Sequence, residues 1–413
     1  MQTQTLAIDF GTSNSAAALA WDQGIYRIPV ERGAETLPTA VFFPADEGAM
    51  RIGAAAADAL IAGEEGRYMR ALKSVLGLPL LHEQRLIGGR RRTLSDIITA
   101  FLTELRQRAE VATRLRFRRA LSGRPVHFHS ADPQKDTQAE ADLRACYLAA
   151  GFEEVAFLPE PEAAAIACHG MGAAEQIGLI VDIGGGTSDF SVFRTAGTGP
   201  EILANHGIRL GGTDFDHAVS MRHAMPQLGL GGQLRREMGT GLLPVPRAPY
   251  VDLATWAKIP FLYTGETRRM VAEMVRLAVD RERMARFATV LEMELGHELA
   301  FAVERGKIAA NSGEAAGRID MGVIEKGLAE TVTPESLDEA LEDHRGQLRA
   351  AAAETLALAG IAPEQVGRVI LVGGSSLMRV VSEEAGALCP GAEILRSEAF
   401  TAVVDGLALA ARG

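Results

Sequence analysis

Cysteine is scarce. The 413 residues hold three, Cys146, Cys168 and Cys389, far apart and in no CxxC pair. That excludes a disulfide framework and predicts reduced, buried thiols. Positive charge is in deficit too: 42 Lys and Arg against 53 Asp and Glu leave a net charge of −11. Such a balance disfavours nucleic acid and an anionic membrane as main partners, since both reward an excess of Lys and Arg. No apolar stretch approaches a membrane span. Met1 to Thr5 carry no basic segment, and Asp9 interrupts the apolar run that follows, so no secretory signal is read. The expectation is a cytoplasmic protein with a solvated acidic surface. What remains is ordinary globular material, 47% apolar and 23% charged, and the length predicts two or three domains.

What is present repeats. Leu6-Ala7-Ile8 runs into Asp9-Phe10-Gly11-Thr12-Ser13-Asn14-Ser15, and Leu179-Ile180-Val181 runs into Asp182-Ile183-Gly184-Gly185-Gly186-Thr187-Ser188-Asp189. Each reads as a buried strand, an Asp-x-Gly tip with a Thr-Ser pair, and a second strand (Ala16 to Trp21; Phe190 to Phe193), that is, a hairpin with a glycine-rich tip. Asp9 and Asp182 lie 173 residues apart, which predicts an internal duplication. A second pair agrees. The helical pattern Leu94–Val111 leads to Ala120–Pro125, and Pro334–Ala359 leads to Val369–Ser376; both strands end in glycine. Each half is therefore expected to hold a sheet flanked by helices, an α/β architecture. Glycine and proline crowd residues 226–260, read as an irregular insertion. Residues 265–310 read as helical, as do Val403–Ala411, and no tail or linker is expected beyond them.

A strand ending in Asp-x-Gly has a chemical use. Glycine lets backbone N–H groups approach phosphate oxygens, and Thr and Ser hydroxyls add donors. An Asp at the strand end can hold a hydrated Mg²⁺, an ion that keeps most of its waters. Two such tips facing one another would clamp a nucleotide's terminal phosphates.

At these residues the chain resembles the seventy-kilodalton heat-shock (DnaK-type) chaperones. Asp9 to Ser15 is similar to the family's first phosphate loop and Asp182 to Asp189 to its second. Pro159-Glu160-Pro161-Glu162 resembles the start of the connecting helix, and Leu210-Gly211-Gly212-Thr213-Asp214 the Gly-Gly turn. Val303 to Lys307 and Leu371 to Ser376 are similar to the adenosine-binding segments, and Met69 to Lys73 to the segment with the catalytic lysine. The motifs keep family order from Ile8 to Gly406. Gly123 to Val126 and the insertion are closer to the short YegD-type relatives.

The resemblance implies an actin-like ATPase: two lobes, each with a duplicated ribonuclease-H-like core, around a central nucleotide cleft. Residues 1–171, with a C-terminal helix 397–413 packing on them, would form lobe I, and 172–396 lobe II. No peptide-binding domain is expected. By carry-over, Asp9 and Asp182 would hold Mg²⁺ through water, and Asp182 could take a proton from the attacking water. Gly11, Thr12, Ser13, Asn14, Gly184, Gly185, Gly186 and Thr187 would bind phosphates. Lys73 would neutralise charge at the γ-phosphate, with Glu160, Asp182 and Thr187 as its catalytic companions. Gly211, Gly212, Gly373, Gly374 and Ser375 would pass close to ribose and α-phosphate, and Glu304 and Lys307 would contact the ribose. The implied ligands are ATP or ADP with Mg²⁺, plus a protein partner or client.

The chain departs from the family at Ile308 and Leu377, where an arginine pair would stack on adenine. Apolar side chains there forgo cation–π stacking. The leading expectation is a slow Mg-dependent ATPase acting as a chaperone-like nucleotide switch. The rivals are a small-molecule kinase of the same superfamily and a polymerising actin-like protein. Other features read as bland. His127 and His129 are expected on one strand face as a core or cleft-lining pair and not as a metal site. Arg114 to Arg119 read as a solvated helix end, and Arg90 to Arg92 as a hairpin loop. Tyr250, Trp256, Phe261 and Tyr263 read as local core.

Overall fold

Leu6, Ala7 and Ile8 are fully buried and form the middle of β1 (Thr5–Phe10), which turns into β2 (Asn14–Trp21) and β3 (Gly24–Arg27). Strands β4 (Arg119–Arg124) and β5 (Glu154–Pro159) extend a six-stranded mixed sheet in the order β3-β2-β1-β4-β5, with Thr36–Pro38 also pairing β2. β1 runs antiparallel to β2 and parallel to β4. The pattern then recurs. β6 (Ile177–Ile183), β7 (Ser188–Ala196), β8 (Gly199–Ile208), β9 (Val366–Val372) and β10 (Glu393–Arg396) pair in the order β8-β7-β6-β9-β10, again antiparallel at the hairpin and parallel beyond it. The architecture is mixed α/β. The computed structural model describes residues 5–21, 24–45, 48–168, 176–196, 199–313, 315–396 and 401–412. The expected domain boundary at 171 and the start of the expected C-terminal helix at 397–400 lie outside them.

The chain divides into two compact units, Met1–Gly212 with Arg345–Gly413, and Thr213–His344. In the first unit, α1 (Leu94–Thr113) is closed at its start by a Thr93–Asp96 capping box, which satisfies two otherwise orphaned N–H groups. It is followed by α2 (Pro133–Ala149) and α3 (Glu160–Cys168). The C-terminal helix α4 (Ala402–Ala410) packs on α3 and on β1 and β2. The helices meet through small residues, Ala163, Ala164 and Ala165 against a face that includes Gly406, in a core shared with Ala7, Ala16, Ala18, Ile180 and Ile370. Any Cβ at Gly406 would overlap the carbonyl of Ala163, so only glycine allows the helices to come this close. Arg27 secures the same helix with two hydrogen bonds to Asp405, 2.9 and 2.7 Å.

Several expectations need correction. His127 and His129 do not share a strand face: β4 ends at Arg124, because Pro125 has no N–H to continue the ladder. Arg90–Arg92 is a strand paired with Arg85–Ile87, and Gly88-Gly89 is the turn. Arg114 sits just past the end of α1 in a left-handed conformation, and Arg119 already begins β4.

In the second unit, residues 265–310 are three helices, Gly265–Leu277, Arg281–Glu292 and Gly296–Asn311. Extended Ala278 breaks the first junction, and Glu294, at φ 56°, breaks the second. The segment 226–260 carries a short hairpin, Gln233–Arg235 with Leu242–Pro244, and the helix Ala248–Leu253. Aromatic burial orders it: Tyr250 stacks on Phe287 at 4.5 Å, and Trp256 donates to Asp216 at 3.0 Å. Cys146 and Cys389 are buried free thiols; the side chain of Cys168 lies outside the described residues.

Candidate nucleotide site

The two glycine-rich tips meet. Thr12 and Ser13 of the first abut Gly185 and Gly186 of the second so closely that a Cβ on Gly185 would run into Ser13 Oγ. Gly211 backs the second tip, within 2.6 Å of Gly185 carbonyl carbon for an added Cβ, and Gly212 faces Ser375. Gly212 N–H donates to Gly184 O at 3.0 Å. Around this junction lies a cavity of about 100 Å³, lined by Asp9, Gly11 to Ser15, Thr36, Lys73, Glu160, Asp182, Gly184, Gly185, Thr187, Gly373, Gly374, Ser375 and Val403. Every one belongs to the first unit. Gly373 packs directly against the second tip: an added Cβ would sit 2.4 Å from Ile183 O and 2.6 Å from Asp182 Oδ1.

The electrostatics of the cavity are unbalanced. Lys73 Nζ donates to Glu160 Oε1 at 2.6 Å, and both side chains are almost wholly buried. Burial alone would push the lysine down, but Glu160, Asp9 and Asp189 outweigh it and hold Lys73 above its ordinary value. Burial, then the charge of Glu160, lifts Asp9 to about 7, against the pull of Lys73. Asp182 is raised well above the carboxylate range by burial, Glu160, Asp189 and Asp9. Asp189, which accepts from Val126 N at 2.7 Å, is lifted to about 8 by burial and Glu160. One ammonium thus faces several sequestered carboxyls, a donor set that suits a further cation. Among the described residues no three His, Cys, Asp or Glu side chains converge as a direct metal cage. A Mg²⁺ that keeps its waters and touches the carboxylates through them fits this arrangement.

The structure brings the two hairpins, Lys73, Glu160 and the Gly373–Ser375 turn around one cavity. Glu304, Lys307 and Ile308 belong to the second unit, on the helix Gly296–Asn311. There Lys307 is buried in an ion pair with Asp216 at 2.7 Å, while Ile308 is 60% exposed. Leu377, of the first unit, is 41% exposed. Sequence reasoning missed Thr36 and Val403 in the lining; it placed Ser15 in the first phosphate loop without a role of its own, and it gave no role to Asp189. Thr36 and Val403 lie outside the phosphate motifs and arrive by folding alone. Asp189 closes the second motif, and its i+7 spacing from Asp182 was the available signal.

Residues 83–229 match the family model described as Hsp70 protein. The chain is 32% identical over 231 residues to the chaperone protein HscA homolog of Azoarcus sp. strain BH72, covering 52% of this chain and 36% of that one. It is 34% identical over 233 residues to the HscA homolog of Pseudomonas paraeruginosa, with the same coverage. To the chaperone protein DnaK of Thermosipho africanus it is 31% identical over 221 residues, 52% of this chain and 34% of that one. The matched part is about a third of the length of these relatives. Two phosphate-type tips close on one cavity, and over about half of its length the chain is similar to Hsp70-type chaperones.

Proposed function

We propose that the chain binds Mg-ATP and hydrolyses it slowly, as a chaperone-type nucleotide switch of the cytoplasm. The observation that carries this reading is the contact of the two glycine-rich tips beside the buried Lys73–Glu160 pair. On the finer level we read the fold as an actin-like ATPase of two lobes, with ribonuclease-H-like sheets. The matching strand orders of the two sheets support that.

In this mechanism Thr12, Ser13 and Thr187 donate hydroxyl protons to phosphate oxygens, and backbone N–H groups of Gly11, Asn14 and Gly184 to Gly186 approach them. Asp9 and Asp182 would hold Mg²⁺, which when bound would neutralise phosphate charge. Lys73 carries its charge toward the γ-phosphate, where negative charge shifts as the bond to the β-phosphate breaks. Glu160 holds Lys73 and orients the attacking water. Asp182, ionised when a cation sits beside it, would accept that water's proton, for which burial and the neighbouring carboxylates raise its affinity. We assign the ribose and base side to Gly211, Gly212, Glu304, Lys307, Ile308, Gly373, Gly374, Ser375 and Leu377 on the family pattern. A protein partner or client would read the nucleotide state.

The test is a thermal melt with and without millimolar Mg-ATP and Mg-ADP. At ligand a hundred times its dissociation constant the gain is about 2.7 kcal/mol, and a chelator should reduce it. No shift with either nucleotide overturns the assignment.

A further inference from the structure

Lys73 is held from outside its own turn. It lies in a single 3₁₀ turn, Leu72–Val75, entered through Ala71, a non-glycine residue at φ 60°. The turn's own bonds are few: Ser74 N–H and Oγ to Ala71 O at 3.1 and 2.7 Å, and Leu76 N–H to Lys73 O at 3.3 Å. Turns this short have poor hydrogen-bond geometry and fix little by themselves. Three distant side chains take hold of the segment. Asp142 Oδ2 accepts from Gly77 N at 3.0 Å. The ring of His129 bonds through Nε2 to Leu76 O at 2.7 Å. Arg209 Nη2 donates to Ser74 O at 2.8 Å, and its Nη1 donates to His129 Nδ1 at 3.0 Å.

The bonds fix one another. A guanidinium only donates, so His129 Nδ1 must accept; the ring proton then sits on Nε2, where Leu76 O requires a donor. Arg209 also stands two residues before Gly211, in the segment that backs the second tip. Leu210 O accepts from Ser188 Oγ at 2.7 Å there. Neither His129 nor Arg209 lines the phosphate cavity; both line the space beside it, with Thr12, Lys73, Gly186 and Thr187. They tie the lysine segment to the segment that backs the second tip.

We propose that His129 and Arg209 are positioning residues, a latch that keeps Lys73 in register with the second phosphate tip, so that hydrolysis depends on it and nucleotide binding does not. The proposal rests on reading the cavity as the ATP site. A misplacement of about 1 Å at a reacting group costs on the order of 100-fold in rate; Glu160 holds the Lys73 ammonium, and His129 and Arg209 hold the backbone from which it reaches.

The test uses the full chain with His129→Ala, Arg209→Ala, the double variant, and His129→Gln, which retains a side-chain N–H for Leu76 O. Single-turnover ATP hydrolysis gives the rate and calorimetry with Mg-ATP gives Kd. Amine-reactive labelling of Lys73, read by mass spectrometry in nucleotide-free protein, reports how well the lysine is held. We expect turnover to fall about 100-fold in both alanine variants, with Kd within about threefold of wild type. The double variant should be no worse than either single one, because the two residues act as a unit. His129→Gln should recover most of the turnover, and Lys73 labelling should rise in the alanine variants but not in the glutamine variant. Unchanged turnover, turnover that falls only in step with affinity, or unchanged labelling overturns the latch. A wild type that binds no Mg-ATP refutes the reading of the cavity instead; the labelling then decides the latch alone, a rise upholding it and no rise refuting it.

Discussion

Asp189→Asn is the substitution whose outcome depends most directly on the buried charge of the site. The carboxyl is 1% exposed, and its pKa is lifted from 3.8 to about 8 by burial and by Glu160. Because the folded value lies above the unfolded one, the folded chain keeps a proton that the unfolded chain has lost between about pH 4 and 8. The associated stability is therefore fully present below about pH 4 and is lost as pH rises through about 8. A displacement of this size is worth on the order of 5 kcal/mol for a group titrating alone. Asp189 interacts with Glu160, so part of that figure belongs to the pair, and the expected difference is a few kcal/mol. Asparagine keeps the oxygen that accepts from Val126 N and removes the titration. Urea unfolding of nucleotide-free protein at pH 5, 7 and 9 should give a wild type that weakens steadily and a variant with a flatter profile, the more stable of the two at pH 9. Parallel profiles would refute the reasoning. So would a variant that loses stability equally at every pH, since the carboxyl would then matter for its shape and not for its charge.

Lys73→Ala should cut turnover about 100-fold with a smaller loss of Mg-ATP affinity. It should also cost about 3–5 kcal/mol in denaturant melts, because Glu160 is left buried without its partner; equal losses in rate and affinity would contradict the lysine's role. Gly406→Val should destabilise the fold by about 1–3 kcal/mol or more through overlap with Ala163 O, and an unchanged melting curve would contradict the helix contact. Ile308→Arg and Leu377→Arg, at two exposed apolar positions, should each tighten ATP by about 0.5–2 kcal/mol through stacking on the base. Calorimetry with ATP and GTP checks this, and a wild type that already prefers ATP by orders of magnitude would place base recognition elsewhere.

Much of the fold was legible because its signals are local. Leu94–Val111 and Pro334–Ala359 show helical periodicity, and helices appear there, Leu94–Thr113 and Pro334–Ala359. The two Asp-x-Gly tips were read as hairpins, and both are antiparallel pairs, since a glycine-rich turn between apolar runs leaves the chain little choice. The histidines were misread because alternation suggests a strand, and only Pro125 ends it. The breaks at Ala278 and Glu294 were missed because backbone conformation at a single residue leaves no periodic trace.

By itself the sequence determined the repeated motif, the family pattern and the identity of the charged groups, all of which are carried by residue type and spacing. Tertiary structure alone decided that Lys73 reaches Glu160 across 87 positions, that Thr12 and Ser13 press against Gly185, and that Arg209 grips Ser74 across 135 positions. The physical reason is range. Propensity and periodicity act over a few residues, whereas burial and the hydrogen bonds that burial demands join whatever the folded chain brings together.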